Sequence, residues 1–152
     1  MYSSYKSHST LKGLIGMAPH GAVTFISELY AGSISDKEIT KQSGIVELLT
    51  EDMAVMADKG FLIDDCIPGK LYIPPFLSKQ SQMPATDVNK TKEIAHLRVH
   101  VERIIGRIKL CKLFQSEIPV SLMGSINALW TVACLLSNYQ YGPLVKAWAQ
   151  EL

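Results

Sequence analysis

The chain has 152 residues, of which 47% are hydrophobic and 19% are charged, and its formal net charge is +1. This length and composition favour one compact domain and argue against an intrinsically disordered protein. The first ten residues contain no apolar run, and the three cysteines lack the spacing of a zinc site, which argues against a signal peptide and a structural metal. We therefore predict a single domain, residues 1–152, in a reducing compartment.

The first predicted elements are two strands and a pair of short helices. Residues 11–18 and 22–29 are apolar and flank a turn that contains proline and glycine, which predicts a β-hairpin. Ser35 can cap a helix that has Asp36 in its first turn. Gly44 then separates this helix from a second short apolar segment. The first half of the domain is therefore predicted to alternate strands with short helices.

A continuous apolar run, residues 53–57, ends abruptly at Asp58. Such a run predicts a strand that is buried on both faces and opens into a loop at its carboxyl end. In open α/β sheets, ligands bind at the carboxyl ends of strands, so Asp58 is a candidate ligand-binding residue. Another short strand is predicted at 71–75, where proline ends it.

A long helix is predicted from about residue 87 to Lys112. Glu102 shares one surface row of this helix with Arg98 and Gly106, at four-residue steps. Apolar residues recur every three or four positions and predict one core-facing stripe: Ile94, Leu97, Val101, Ile104, Ile105 and Ile108.

The charge of this helix is concentrated, since residues 90–112 carry seven basic and two acidic side chains. Such a segment can attract a polyanion, although charge alone favours a solvated helix face. His96 and His100 are four residues apart, but a metal pair is rejected because neither has a further ligand at diagnostic spacing.

The last predicted helix, at about 122–139, is apolar on nearly all sides, which predicts that it is largely buried and contains Trp130 as a core residue. Its longest apolar run, residues 126–136, is too short to span a bilayer, so no membrane partner is expected. Residues 113–152 are assigned to the same domain as its C-terminal core helix and tail.

Asp58 and Glu102 form a carboxylate pair that suits hard, oxygen-ligated cations such as Mg²⁺ or Mn²⁺. Spacing alone makes this a weak signal, because the chain has 14 acidic residues that offer many such pairs. An intrahelical salt bridge between Glu102 and Arg98 is the simpler interpretation at this point.

Four ordered segments carry a resemblance to a known family: residues 3–12, 30–38, 55–61 and 98–109. Together they resemble the DDE superfamily endonuclease domain of Harbinger-like transposases, over most of the chain. The resemblance implies an α/β fold of the ribonuclease-H-like type, with a mixed sheet flanked by helices. In that family, an Asp, Asp, Glu triad binds two divalent cations, Mg²⁺ or Mn²⁺.

The resemblance also implies roles for particular residues. By motif, Asp58 matches the second aspartate and Glu102 the glutamate, so both are expected to be catalytic and to bind metal. Asp36 matches another acidic position and is either a third metal ligand or a helix N-terminal charge. Three basic residues beside the site are implied to contact DNA phosphates: Arg103, Arg107 and Lys109.

The sequence departs from the family at the first aspartate, which should precede the segment at residues 3–12. No Asp or Glu occurs before Glu28. We therefore expect a domain that is N-terminally truncated, lacks its first strand and binds at most one cation. The neighbouring strand, at about 11–17, is then expected to have an unpaired edge that favours a homo-oligomer or a partner protein.

These expectations describe a transposase-derived, DDE endonuclease-like domain that binds divalent metal and DNA, in the nucleus. Phosphodiester cleavage and strand transfer, which the full-length family performs, are expected to be impaired. The alternative is a non-catalytic module that binds DNA or a protein. A third possibility is a partial gene product that folds poorly alone.

Overall fold

A computed structural model describes residues 10–58, 60–73 and 85–140, and it describes the side chains of all of these except 85–96. In chain order, the elements are β1 (Leu11–Lys12), β2 (Ile15–Met17), β3 (Val23–Ile26), β4 (Tyr30–Ala31), α1 (Asp36–Gln42), α2 (Ile45–Leu48), β5 (Ala54–Met56), β6 (Lys70–Tyr72), α3 (Ala85–Lys109), two short 3-10 helices (Lys112–Phe114 and Val120–Ser125) and α4 (Ile126–Gln140). The described part of the chain is therefore mixed α/β, with small sheets and four α-helices.

The predicted hairpin is confirmed by the pairing of β2 with β3. These strands are antiparallel, with Ile15 opposite Ile26, and the register shifts at a bulge after Gly16. The turn is closed by Gly21, which adopts a φ of 96° and donates its N–H to the carbonyl of Ala18 at 2.9 Å. Glycine suits this position because it has no Cβ to oppose the left-handed conformation.

The other strands pair two by two within the described residues. β1 pairs antiparallel with β4, whereas β5 and β6 form a parallel pair. Between these pairs, Ser35 caps α1 as predicted, since its hydroxyl accepts a hydrogen bond from the N–H of Glu38 at 3.1 Å. Gly44 then separates α1 from α2 with a φ of 80°.

The hydrophobic core lies where the hairpin meets α3 and α4. Its buried residues are Val23 from β3, Ile104 and Ile108 from α3, and Cys134 from α4. Burial of the Cys134 side chain raises the pKa of its thiol to about 12. Trp130 packs against this cluster, as its position in the apolar helix predicted.

Part of the predicted α3 stripe is confirmed. Ile104 and Ile108 are buried and Leu97 and Val101 are half-buried, but Ile105 faces solvent. The Ile105 prediction was wrong because this residue lies at the margin of the stripe, where the described residues do not cover α3. The side chain of the sixth stripe residue, at position 94, lies outside the described residues.

Helix α4 is joined to the hairpin by polar side chains as well as by the core. The Asn138 side chain accepts the N–H of Val23 at 2.8 Å and donates to its carbonyl at 3.0 Å. The indole N–H of Trp130 donates to the carbonyl of Ser27 at 3.0 Å, and Asn127 accepts the N–H of Leu29. These bonds satisfy backbone groups of β3 and of the segment that follows it, which a helix cannot pair with directly.

Two burial predictions were wrong. Helix α4 has only three buried residues, and several of its apolar side chains are exposed, including Val132, Leu135 and Tyr139. β5 is also not buried on both faces, since Ala54 is exposed and Val55 is half-buried. In both cases, the described chain supplies a packing partner on one side only.

The stretch Val120–Gln140 is 21 residues long and apolar enough to cross a membrane by length and composition. It extends beyond residues 126–136, the run from which no membrane span is expected, at both ends. Only 17% of the most apolar 18 residues in this stretch are buried. A single helix of this kind is weak support for a membrane span, since core helices of soluble proteins can be equally long and apolar.

Candidate functional site

Asp58 lies at the carboxyl end of β5, as predicted. β5 runs parallel to β6, with Ala54 opposite Lys70, and the N–H of Ala57 extends the pairing by donating to Tyr72 at 3.1 Å. The Asp58 carbonyl then accepts the N–H of Phe61 at 2.8 Å, which turns the chain away from the strand. Asp58 is therefore presented at a strand end.

The β5–β6 pair requires a close approach of the backbone at Gly69. A Cβ placed on Gly69 would lie 2.0 Å from the carbonyl oxygen of Met53. The following residue, Lys70, donates its N–H to that same oxygen at 3.2 Å. The absence of a side chain at Gly69 thus lets β6 reach the register that places Asp58.

Arg98 on α3 connects the two predicted acidic residues. Its Nη2 lies 3.5 Å from Oδ2 of Asp58, and its Nε lies 3.4 Å from Oε1 of Glu102. The intrahelical salt bridge considered from the sequence is therefore present, together with a second contact to a residue 40 positions earlier. The guanidinium of Arg98 thus lies within 3.5 Å of both carboxylates.

All three of these side chains are largely open to solvent. The exposed fractions are 63% for Asp58, 65% for Glu102 and 47% for Arg98. Ion pairs at such exposure contribute little to stability, because water competes for the charges and screens them. The carboxylates are therefore accessible, and the arginine that joins them can be displaced at small cost.

Asp36 lies in a different setting. Its Oδ1 is 2.6 Å from Nζ of Lys12, which also donates to the carbonyl of Ile34 at 3.1 Å. Asp36 thus holds β1 against the start of α1. Among the described side chains, no group of three His, Cys, Asp or Glu residues is arranged to hold a metal ion, so the metal role of Asp36 stays a prediction.

The three basic residues assigned to DNA differ in their positions on α3. Lys109 is exposed and lies seven residues after Glu102, which places it in the same surface row. Arg103 is exposed about a quarter turn away, whereas Arg107 is half-buried and lines a groove between α3 and α4. Of the three, Lys109 is therefore best placed to act together with Glu102.

The surface row that contains Glu102 and Lys109 also includes a glycine. Gly106 lies between Glu102 and Lys109, and a Cβ placed on it would meet no atom within 4 Å. Glycine in a helix interior costs stability relative to alanine, by about 0.5–1 kcal/mol. No packing contact among the described residues accounts for Gly106, and the missing side chain leaves the surface of α3 open beside Glu102.

A family model described as a DDE superfamily endonuclease matches residues 1–138. The chain belongs to this family. Neither the curated proteins nor the solved structures give a match to it. Membership in the DDE endonuclease family implies a transposase-derived, nuclease-like function that involves DNA, and the family normally uses divalent metals.

The residues present fit a divalent cation of the type that DDE endonucleases use. Asp58 and Glu102 supply oxygen ligands, and both already contact one positive group, the guanidinium of Arg98. Mg²⁺ is commonly held by one or two carboxylates, with water and substrate phosphate completing its coordination. The two acids could therefore hold one such ion, provided that Arg98 moves aside.

The sequence did not predict that Arg98 contacts both Asp58 and Glu102. The spacing of four residues indicated its pairing with Glu102. Nothing in the local pattern indicated the contact with Asp58, because that contact depends on how α3 lies against the end of β5.

Proposed function

We propose that this DDE endonuclease-family chain is a Harbinger-like, transposase-derived domain that binds one divalent cation at Asp58 and Glu102 and associates with DNA through α3. Its phosphodiester cleavage is impaired when this chain acts alone. The family's substrate, DNA, makes the nucleus its proposed location.

The observation that carries the proposal is the convergence of Asp58 and Glu102 on one cationic group. These residues are 44 positions apart and lie on different elements, yet both carboxylates are within 3.5 Å of the Arg98 guanidinium. They are also the two residues that the family resemblance assigns to the second aspartate and the glutamate. A divalent cation held there would polarise a phosphodiester oxygen as a Lewis acid.

DNA association is supported by the basic side chains of α3. Arg98 and Lys109 flank Glu102 in the same exposed row, and the intervening Gly106 leaves that surface open. Basic side chains that neutralise phosphates supply most of the affinity for DNA. This arrangement would place a phosphate of the backbone beside the Glu102 carboxylate.

Impaired cleavage follows from the number of carboxylates. Two-metal cleavage stabilises both the attacking and the leaving oxygen, and it needs ligands that bridge the ions. In the described part of the chain, no third acid joins Asp58 and Glu102. One cation on two ligands would activate only one of the two oxygens.

Mn²⁺ titration of the purified chain, followed by the loss of the free-ion EPR signal, tests metal binding. We expect one Mn²⁺ per chain, with binding strongly weakened in Asp58→Asn and in Glu102→Gln. Asp64→Asn is the matched control, because Asp64 is an exposed acid in the loop that follows Asp58. Equal binding by Asp58→Asn and the wild type would overturn the proposed site.

Nicking of supercoiled plasmid with Mg²⁺ or Mn²⁺ tests impaired cleavage. We expect no nicking above the rate of the Asp58→Asn variant. Rapid nicking that disappears in Asp58→Asn would show that the two carboxylates suffice and would overturn this part of the proposal.

A non-catalytic DNA-binding module is the second candidate, and the occupation of the acid pair by Arg98 favours it. Binding of a labelled duplex at several salt concentrations tests the DNA association on which both candidates depend. We expect Lys109→Gln to weaken binding and to reduce the salt dependence by about one ion, whereas Lys41→Gln on α1 leaves both unchanged. Binding that does not respond to salt would exclude both candidates. If Mn²⁺ binding at Asp58 is absent and the salt-dependent DNA binding persists, the second candidate is supported.

A further inference from the structure

The position of Arg98 has a consequence for the cation that rests on the function proposed above. The guanidinium contacts both carboxylates that would ligate a divalent ion, at 3.5 Å and 3.4 Å. A cation coordinated by either carboxylate oxygen would lie at about 2–2.6 Å from it, inside the space that the guanidinium now occupies. The two positive groups therefore compete for one place.

We infer that Arg98 is a displaceable internal counter-ion that limits divalent-cation binding at Asp58 and Glu102 until a DNA phosphate draws its guanidinium away. The resting pair is neutralised by Arg98, and the metal-loaded pair is formed only after Arg98 has left.

The exposure of Arg98 makes the exchange feasible. Almost half of its side chain is in contact with solvent, and neither ion pair has the short, bidentate geometry of a strong arginine–carboxylate contact. Arginine also has a planar set of donors that matches phosphate as well as carboxylate. A phosphate beside Glu102 can therefore accept the guanidinium that the carboxylates release.

This exchange couples the two ligands. Binding of a phosphate by Arg98 removes a positive charge from between the acids, which favours the metal ion. By linkage, the metal ion must favour DNA to the same extent, because it releases Arg98 for the phosphate. The chain is then expected to bind cation and DNA together better than either alone.

Mn²⁺ titration of Arg98→Gln without DNA tests the competition. We expect this variant to bind Mn²⁺ roughly three- to tenfold more tightly than the wild type, since two exposed ion pairs no longer oppose the metal. Lys41→Gln removes the same charge from an exposed position on α1 and is expected to leave the Mn²⁺ affinity unchanged. Thermal unfolding of each variant checks that the fold is retained.

A second titration, with a short duplex present, tests the coupling. We expect the duplex to tighten Mn²⁺ binding several-fold in the wild type and much less in Arg98→Gln. An equal gain in both proteins would overturn the coupling. Weaker or unchanged Mn²⁺ binding by Arg98→Gln without DNA would overturn the competition.

These outcomes are separable from failure of the proposed function. If the wild type binds Mn²⁺ through Asp58 and Arg98→Gln binds it no better, the metal site stands and the role of Arg98 is wrong. If neither protein binds Mn²⁺ in a manner that depends on Asp58, the proposed site and this inference both fail.

Discussion

Two regions of the molecule are held together in different ways. The hairpin–α4 unit, formed by residues 15–27 and 126–140, shares a buried core with α3. In it, the Asn138 side chain accepts from the N–H of Val23 and donates to its carbonyl, and the Trp130 indole donates to the carbonyl of Ser27. The Asp58 unit, residues 54–72, has one short parallel strand pair, and half of its described residues are exposed, although Ile63 and Ile67 are buried. The candidate site thus lies on the region that has one short strand pair, and we expect local opening to cost less there than in the hairpin–α4 unit.

Helix α3 belongs to both regions. Ile104 and Ile108 anchor it in the core, while Arg98, on an exposed row, contacts both Asp58 and Glu102. One face therefore contributes stability and another contributes chemistry. Substitutions on the core face should therefore change stability, whereas those on the exposed row should change ligand binding.

The largest expected effect is on the shared core. Ile104 is 1% exposed, so Ile104→Ala should leave a cavity and lower the free energy of unfolding by about 2–5 kcal/mol. Urea denaturation followed by circular dichroism measures this loss. Ile105→Ala on the exposed side of the same helix should cost less than about 1 kcal/mol relative to the wild type. Similar losses for both variants would contradict the assignment of the core face.

Gly69→Ala should break the Asp58 unit and spare the core. The added methyl would overlap the carbonyl of Met53, and such overpacking costs about 1–3 kcal/mol. Hydrogen exchange should accelerate at the amide of Ala57, which bonds to β6, and stay unchanged at the amide of Val23. Faster exchange at both amides would mean that the two regions unfold as one.

Asn138→Ala should have the converse effect. It removes both side-chain bonds to Val23 and leaves a partly buried N–H and carbonyl without those partners, at a cost of about 1–2 kcal/mol. Exchange at the Val23 amide should accelerate and that at Ala57 should not. Gln140→Ala, at an exposed position on the same helix, is the matched control.

Much of the local structure could be predicted from the sequence, because its causes are local. The hairpin follows from apolar runs around a glycine turn, the cap at Ser35 from a hydroxyl before acidic residues, and the position of Asp58 from the end of an apolar run. The pairing of Glu102 with Arg98 follows from helix geometry in the same way.

Burial and long-range contact could not be predicted from the same patterns. An apolar helix such as α4 and an apolar strand such as β5 indicate what could be buried, whereas burial itself depends on what the rest of the chain supplies. The contact between Arg98 and Asp58 likewise depends on how α3 approaches β5. The sequence therefore predicted Asp58 and Glu102 as site residues, but not the guanidinium of Arg98 that contacts both.

Gly106→Ala should stabilise the chain and weaken its proposed contact with DNA. A methyl there meets no neighbour, so the helix should gain about 0.5–1 kcal/mol of stability. Urea denaturation measures the gain, and binding of a labelled duplex measures the loss. If DNA binding is unchanged, the DNA backbone does not lie on the open surface at Gly106 beside Glu102.

The smallest expected effect is on the exposed ion pair between Lys37 of α1 and Asp65 of the Asp58 unit. Their hydrogen bond lowers the pKa of Asp65 below its usual 3.8 and raises the pKa of Lys37 above its usual 10.5. The Asp65 contribution to stability is therefore present above pH 3.8 and lost as the pH falls through the folded-state pKa. The Lys37 contribution is present below 10.5 and lost as the pH rises through its folded-state pKa.

Asp65→Asn should therefore lower the urea midpoint slightly at neutral pH and match the wild type in acid. Asp64→Asn, which alters the neighbouring acid, is the control for charge alone. The side chains of Lys37 and Asp65 are 45% and 65% exposed, so the difference should be far smaller than that caused by Asn138→Ala. A difference of equal size would show that this ion pair holds the Asp58 unit as firmly as Asn138 holds the hairpin, and the contrast between the two regions would not stand.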